Sequence, residues 1–285
     1  MVEVERRLAL GHTIGSSFAS APGVESVFIS GSVSRGYADR WSDVEIGILW
    51  REIPSEAIRA LLSGKSHLQN WRAFEGTSSI GAVEEEAAIS GVKIDLLHLD
   101  IATVERVLSD VIDRGDASLD KQVLISALQD GVPVHGEVLL TRWRARAYPY
   151  PKHLRVQMVR DHLVFGPHAW LEMLAERGDL LALHDLLCRI ERAILGILQG
   201  VNGVYAPSVS PKWTRHLIER LPIAPPDLAR RFDLLLGADA HDAVRDAGRL
   251  IDETLTLAER HAPAVDTQPV RSRVAQAPRL LNEGS

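Results

Sequence analysis

Three carboxylates, Asp43, Glu45 and Asp95, have the type and spacing to share a metal ion. Asp43-Val44-Glu45 opens the apolar run Val44–Trp50, which reads as a buried strand. Side chains alternate faces along a strand, so Asp43 and Glu45 project to one side and Val44, Ile46 and Ile48 to the other. Asp95 lies inside a second such run, residues 92–99 (VKIDLLHL). An unpartnered buried carboxylate is costly, so three of them on adjacent strands imply a compensating cation. All-oxygen donors select Mg²⁺ or Mn²⁺ over zinc. Three carboxylates around two such ions are the apparatus of in-line phosphoryl or nucleotidyl transfer, in which one ion activates the attacking oxygen and the other steadies a triphosphate. Gly31-Ser32, directly after a strand candidate at 25–30, supplies the phosphate side: glycine lets the backbone approach, and backbone N–H groups with the Ser32 hydroxyl can bind the oxygens.

The elements that must position these residues form an α+β pattern in the first half of the chain. An amphipathic helix over 2–20 stops at Ala21-Pro22-Gly23. Strands follow at 25–30, 44–50, 77–83 and 92–99, with helices at 54–62, 101–113 and 119–129 and a turn at 131–136 before a further helix. Glu84-Glu85-Glu86 reads as a solvated loop run, and His98, three residues beyond Asp95, falls on the opposite face as a structural residue. Arg142, Arg144 and Arg146 read as a solvated helix face. Beyond Tyr148-Pro149-Tyr150-Pro151 the periodicity is helical, at 152–176, 179–199, 212–221, 225–236 and 239–261. The expected organisation is thus a catalytic domain at 1–147, a helical domain at 148–262 and a flexible tail at 263–285.

With 285 residues, 46% hydrophobic and 25% charged, the chain has the composition of a folded globular protein rather than a disordered or fibrous one. Its single Cys excludes an internal disulfide framework, and no clustered Cys or His suggests a zinc site. A net charge of −6 offers no general field for nucleic acid, which is disfavoured as a partner. The N-terminus has neither the basic segment nor the apolar core of a signal peptide, and no membrane-length apolar run occurs, so the expected location is cytoplasmic.

The segment from Gly31 to Glu45 resembles the DNA-polymerase-beta-like nucleotidyltransferase superfamily, and most closely the kanamycin (aminoglycoside) nucleotidyltransferases. Their pattern is Gly-Ser-x-x-Arg, a variable stretch, then Ser-Asp-x-Glu; Gly31, Ser32, Arg35, Ser42, Asp43 and Glu45 match it in register. Asp95 is similar in position to the family's third metal-binding carboxylate. The resemblance implies a minimal nucleotidyltransferase domain, a mixed sheet flanked by helices, followed by a C-terminal helical bundle. It implies Asp43, Glu45 and Asp95 as metal ligands for two Mg²⁺ ions, with Mn²⁺ as a substitute. Gly31, Ser32, Arg35 and Ser42 would hold an NTP, expected to be ATP. The acceptor would be a small-molecule hydroxyl such as an aminoglycoside's; a tRNA or partner-protein acceptor, or a non-catalytic nucleotide-binding relative, are the alternatives. A Glu of the helical domain serves as base in the aminoglycoside enzymes, and among Glu172, Asp185 and Glu191 the choice falls on Glu191, set in an apolar run. A looser likeness around 201–213 to uncharacterised nucleotidyltransferase-like proteins places Lys212 near the phosphates, the rival reading being a helix junction with Trp213 in the core. Aminoglycoside enzymes include homodimers, but no pattern here specifies an interface.

Overall fold

Val44, Ile46 and Ile48, the apolar partners of the Asp-x-Glu pattern, are fully buried. The structure, a computed structural model, describes residues 2–74, 76 and 78–277. It divides into two compact units, Met1–Pro149 and Tyr150–Ser285.

The first unit is built on a six-stranded mixed sheet. In chain order its elements are α1 (Val2–Ala19), β1 (Val24–Ser30), the one-turn α2 (Gly31–Ser34), β2 (Val44–Trp50), α3 (Glu56–Lys65), β3 (Gln69–Ala73), β4 (Val83–Ile89) and β5 (Val92–Asp100). Then come α4 (Ile101–Leu108), running into a π turn at Ser109–Asp113, α5 (Leu119–Asp130), β6 (Val132–His135) and α6 (Glu137–Arg146). The strand order is β3-β4-β5-β2-β1-β6. β2 pairs antiparallel with β1 and parallel with β5, so the sheet is mixed, and Pro133 is tolerated because β6 is an edge strand. α1 covers one face, placing Ile14 and Phe18 in a core with Val27, Ile29, Val44, Ile46 and Ile94.

Three expectations change here, the first being the turn at 131–136, which holds β6 because Val132 to His135 pair with β1. The segment 78–82 of the expected strand is a turn closed by Ser78 and Ala82, and residue 77 lies outside the described residues. The chain enters a strand only at Val83, so Glu84, Glu85 and Glu86 belong to β4 rather than to a solvated loop. Glu85 faces inward at 1% exposure because a complete set of donors meets it. Arg59 Nε donates at 2.6 Å, Trp71 Nε1 at 2.8 Å, and His98 Nε2 lies 3.1 Å away. Trp50 Nε1 donates to His98 Nδ1 at 2.9 Å, which leaves the His98 proton on Nε2, aimed at Glu85. Burial alone would raise the Glu85 carboxyl, but His98, Trp71 and Arg59 hold it below the ordinary carboxylate range. Burial pushes the His98 imidazole down, against Glu85, so the ring is neutral and structural.

The second unit is helical: α7 (Lys152–His162), α8 (His168–Glu176), α9 (Leu180–Asn202), α10 (Thr214–Glu219), α11 (Leu228–Gly237), α12 (Ala240–His261) and α13 (Gln268–Val274). Leu187, Ile194 and Leu198 of α9 pack with Leu250 and Leu255 of α12 at the centre of its core. The helix expected over 152–176 is two helices: it ends at His162 and resumes at His168, directly after Pro167, which has no N–H to continue a ladder. The expected tail at 263–285 holds α13 instead, since Val265 and Val270 are buried in the core and Arg271 pairs with Glu259 at 2.7 Å; residues 278–285 lie outside the described residues.

Candidate functional site

The strand register places the carboxylates. β1 ends at Ser30 opposite Glu45, and Glu45 stands beside Asp95 across the parallel β2–β5 pair. The same register puts Asp43, one residue before β2, at the level of Lys93. Thus Asp43, Glu45, Asp95, Gly31 and Lys93 meet at one end of the sheet.

Glu45 is the most enclosed of the three. Its carboxyl accepts a hydrogen bond from Ser30 Oγ at 3.3 Å and lies against Gly31, where a Cβ would fall 2.6 Å from the Glu45 Cδ. Gly31 also has φ +70°, so both its backbone and its lack of a side chain are required. Burial, together with the Asp43 and Asp95 charges, raises the Glu45 carboxyl against the opposing pull of Arg35. Asp95 is likewise raised, first by burial and also by the charge of Asp43 and a hydrogen bond with it. Lys93 opposes this: its Nζ lies 2.9 Å from Asp95 and 3.4 Å from Glu86. Sequence reasoning gave Lys93 no role, although its i,i+2 spacing puts it on the Asp95 face of β5.

The donor chemistry fits a hard divalent cation. The Asp43 charge acts on Asp95, and like-charged carboxylates set close together are what a hard divalent cation compensates. Yet among the described residues no three Asp, Glu, His or Cys side chains are gathered as a ligand set. The arrangement is a pair, Asp43 and Asp95, with Glu45 seated behind it against Gly31.

The residues expected to hold nucleotide divide. Ser32 is buried in α2, directly after Gly31. Arg35 is held by α5: its Nε donates to Asp130 at 2.8 Å and its NH2 to Ser126 Oγ at 3.1 Å. Ser42 acts as a loop brace, its Oγ accepting from the Asp39 N–H at 3.0 Å and its carbonyl from Arg7 Nε at 2.8 Å.

Glu191 and Lys212 belong to the second unit. Glu191, on α9, is half-buried, with Oε1 enclosed and without a hydrogen-bond partner. Burial, and then the Asp233 charge, raise its carboxyl to about 7, with Arg192 opposing. Lys212 is exposed in the loop before α10, and neighbouring Trp213 is 37% exposed rather than in the core. Of the other two base candidates, Asp185 is exposed and paired with Arg189 at 2.7 Å, and Glu172 is exposed.

Residues 117–214 match a family described as a domain of unknown function, DUF4037. That stretch includes Asp130, Glu191 and Lys212 and excludes the three sheet carboxylates. The structure is similar to the crystal structure of a nucleotidyltransferase-like protein from Exiguobacterium sibiricum, with 12% sequence identity and a TM-score of 0.41 over 89% of this chain and 77% of that one. No curated protein matches the chain. Among the described residues no helix is long and apolar enough to cross a membrane.

Proposed function

We propose that this protein is a metal-dependent nucleotidyltransferase that moves a nucleoside monophosphate, AMP from ATP, onto a hydroxyl of a small molecule such as an aminoglycoside. The observation that carries the reading is the strand register that sets Glu45 beside Asp95, with Asp43 one residue before β2 and Gly31 against Glu45, at one end of the sheet. Asp43 and Asp95 would hold Mg²⁺, which when bound supplies Lewis-acid stabilisation of the α-phosphate and of the leaving pyrophosphate. In the reaction the acceptor oxygen forms a bond to the α-phosphorus while the bond to pyrophosphate breaks, and the hydroxyl proton passes to a base. Ser32 and the backbone beside Gly31 serve the phosphates. The excess of acidic residues suits a cationic acceptor better than nucleic acid.

A second reading, a nucleotide-binding relative without transferase activity, is favoured by one observation: Lys93 already compensates Asp95. One experiment separates the two. Purified protein is incubated with α-labelled ATP, Mg²⁺ and a panel of aminoglycosides, and label transfer and pyrophosphate release are followed. Transfer should fall by about a thousand-fold or more in Asp43→Ala and Asp95→Ala, the loss expected when several kcal/mol of transition-state stabilisation is removed. ATP binding without transfer to any acceptor supports the second reading. Label appearing on RNA or protein of a lysate, and on no small molecule, moves the acceptor to a macromolecule.

A further inference from the structure

Two residues before Asp43 stands Trp41, 80% exposed. A large indole held in water is unusual on an ordered segment, and this segment is ordered at some cost. Arg7 of α1, only 4% exposed, donates from Nε to the Ser42 carbonyl at 2.8 Å and from NH2 to the Arg40 carbonyl at 3.0 Å, so both residues flanking Trp41 are fixed. Asp39 Oδ1 accepts from the Trp41 N–H at 2.8 Å and from Ser42 Oγ at 3.2 Å, closing the turn from within. The Arg40 guanidinium lies over the indole, 4.8 Å from its centre, and occupies one face of the ring. A buried arginine therefore braces a turn whose outermost feature is a half-covered aromatic plate, with its Cα at most about 7 Å along the chain from that of Asp43.

We propose that Trp41 is the stacking platform for the nucleobase of the nucleotide bound at the Asp43–Asp95 end of the sheet. The proposal rests on the nucleotidyltransferase reading and names a residue that reading does not require. The chemistry selects a base over the acceptor. A saturated amino sugar has no π face to lay on indole, and its ammonium groups would meet Arg40 over the same ring. A nucleobase is flat, neutral and polarisable, and it stacks on the free indole face, while its triphosphate lies toward a guanidinium instead of being repelled by it.

The test compares ATP with inorganic tripolyphosphate, each in Mg²⁺, by equilibrium binding to the wild type, Trp41→Ala and Trp41→Phe. Trp41→Ala should weaken ATP about ten-fold, within the range measured for removing one base-stacking aromatic, and leave tripolyphosphate unchanged; Trp41→Phe should restore most of the loss. Its melting temperature should match the wild type, because the side chain is exposed. If the wild type binds ATP and Trp41→Ala binds it equally well, the stacking role is wrong and the transferase reading stands. Equal loss for ATP and tripolyphosphate also overturns it, since Trp41 would then act on the phosphates or the turn. Failure of the wild type to bind either ligand overturns the transferase reading itself.

Discussion

Replacing Glu191 by Gln should stabilise the protein at pH 8 and leave it unchanged at pH 5. Glu191 Oε1 is enclosed without a partner, and burial with the Asp233 charge raises the carboxyl from 4.5 to about 7. A carboxyl raised on folding binds a proton in the folded state that the unfolded state has released. The stability it contributes is therefore complete below pH 4.5 and is lost as the pH climbs through 7. At about 1.4 kcal/mol per pH unit the ceiling is about 3.4 kcal/mol. Because the side chain is only half-buried, solvent screening reduces this to roughly 1–2 kcal/mol. Gln has the shape of the protonated acid and does not ionise, so it keeps the low-pH packing at every pH. For a protein of this size the gain at pH 8 corresponds to a melting shift of about 2–8 °C. Melting temperatures of wild type and variant at half-unit steps from about pH 4.5 to 8.5 should diverge as the pH rises toward 7 and keep a constant difference above it. A shift of equal size at pH 5 and pH 8 would place the effect in packing, and no shift at pH 8 would refute the raised carboxyl.

Gly31→Ala should cost about 2–4 kcal/mol in urea unfolding, since a side chain at φ +70° adds backbone strain to a clash with the Glu45 carboxyl; a loss under about 1 kcal/mol would show that Glu45 moves freely. Glu85→Ala should cost about 3–5 kcal/mol, because it leaves the Arg59 guanidinium buried and unpaired and strips acceptors from Trp71 and His98. Arg59→Met in the Glu85→Ala background should recover part of that loss in the same assay, and a further loss would mean that Arg59 is satisfied elsewhere.

What was legible in the sequence was whatever rests on local alternation. Period-2 patterning assigns Asp43 and Glu45 to one face of β2, and the β2–β5 register then sets Glu45 level with Asp95 and Asp43 level with Lys93. The inward turn of Glu85 was not legible. Three consecutive Glu look solvated unless Arg59, Trp71 and His98 are known to converge on the middle one, and those residues come from three other elements. Arg35 shows the same limit: its motif position suggests phosphate, but Asp130, 95 residues away, takes its guanidinium. The tail was misjudged because polar composition hides Val265 and Val270, which suffice to dock α13.

The three carboxylates at the sheet end are tolerated for different physical reasons, and the differences say how the site is arranged. Asp95 has a mobile counter-charge, the half-exposed Lys93, whose flexible stem can swing away. Arg35, by contrast, is fixed by Asp130 and Ser126, and its charge acts on Glu45 from a set position. Glu45 accepts a hydrogen bond from the Ser30 hydroxyl, and Gly31 leaves open the space where a side chain would force it out. Burial and the neighbouring Asp43 and Asp95 charges raise the Glu45 carboxyl against the pull of Arg35, while Asp95 stands 2.9 Å from the Lys93 ammonium. The fixed compensation, from Arg35, therefore acts on the inner carboxylate, and the movable one, from Lys93, acts on Asp95. Under the proposed function an incoming cation would meet Asp43 and Asp95, displacing Lys93 from Asp95, with the sheet end behind them already set by Gly31 and Arg35.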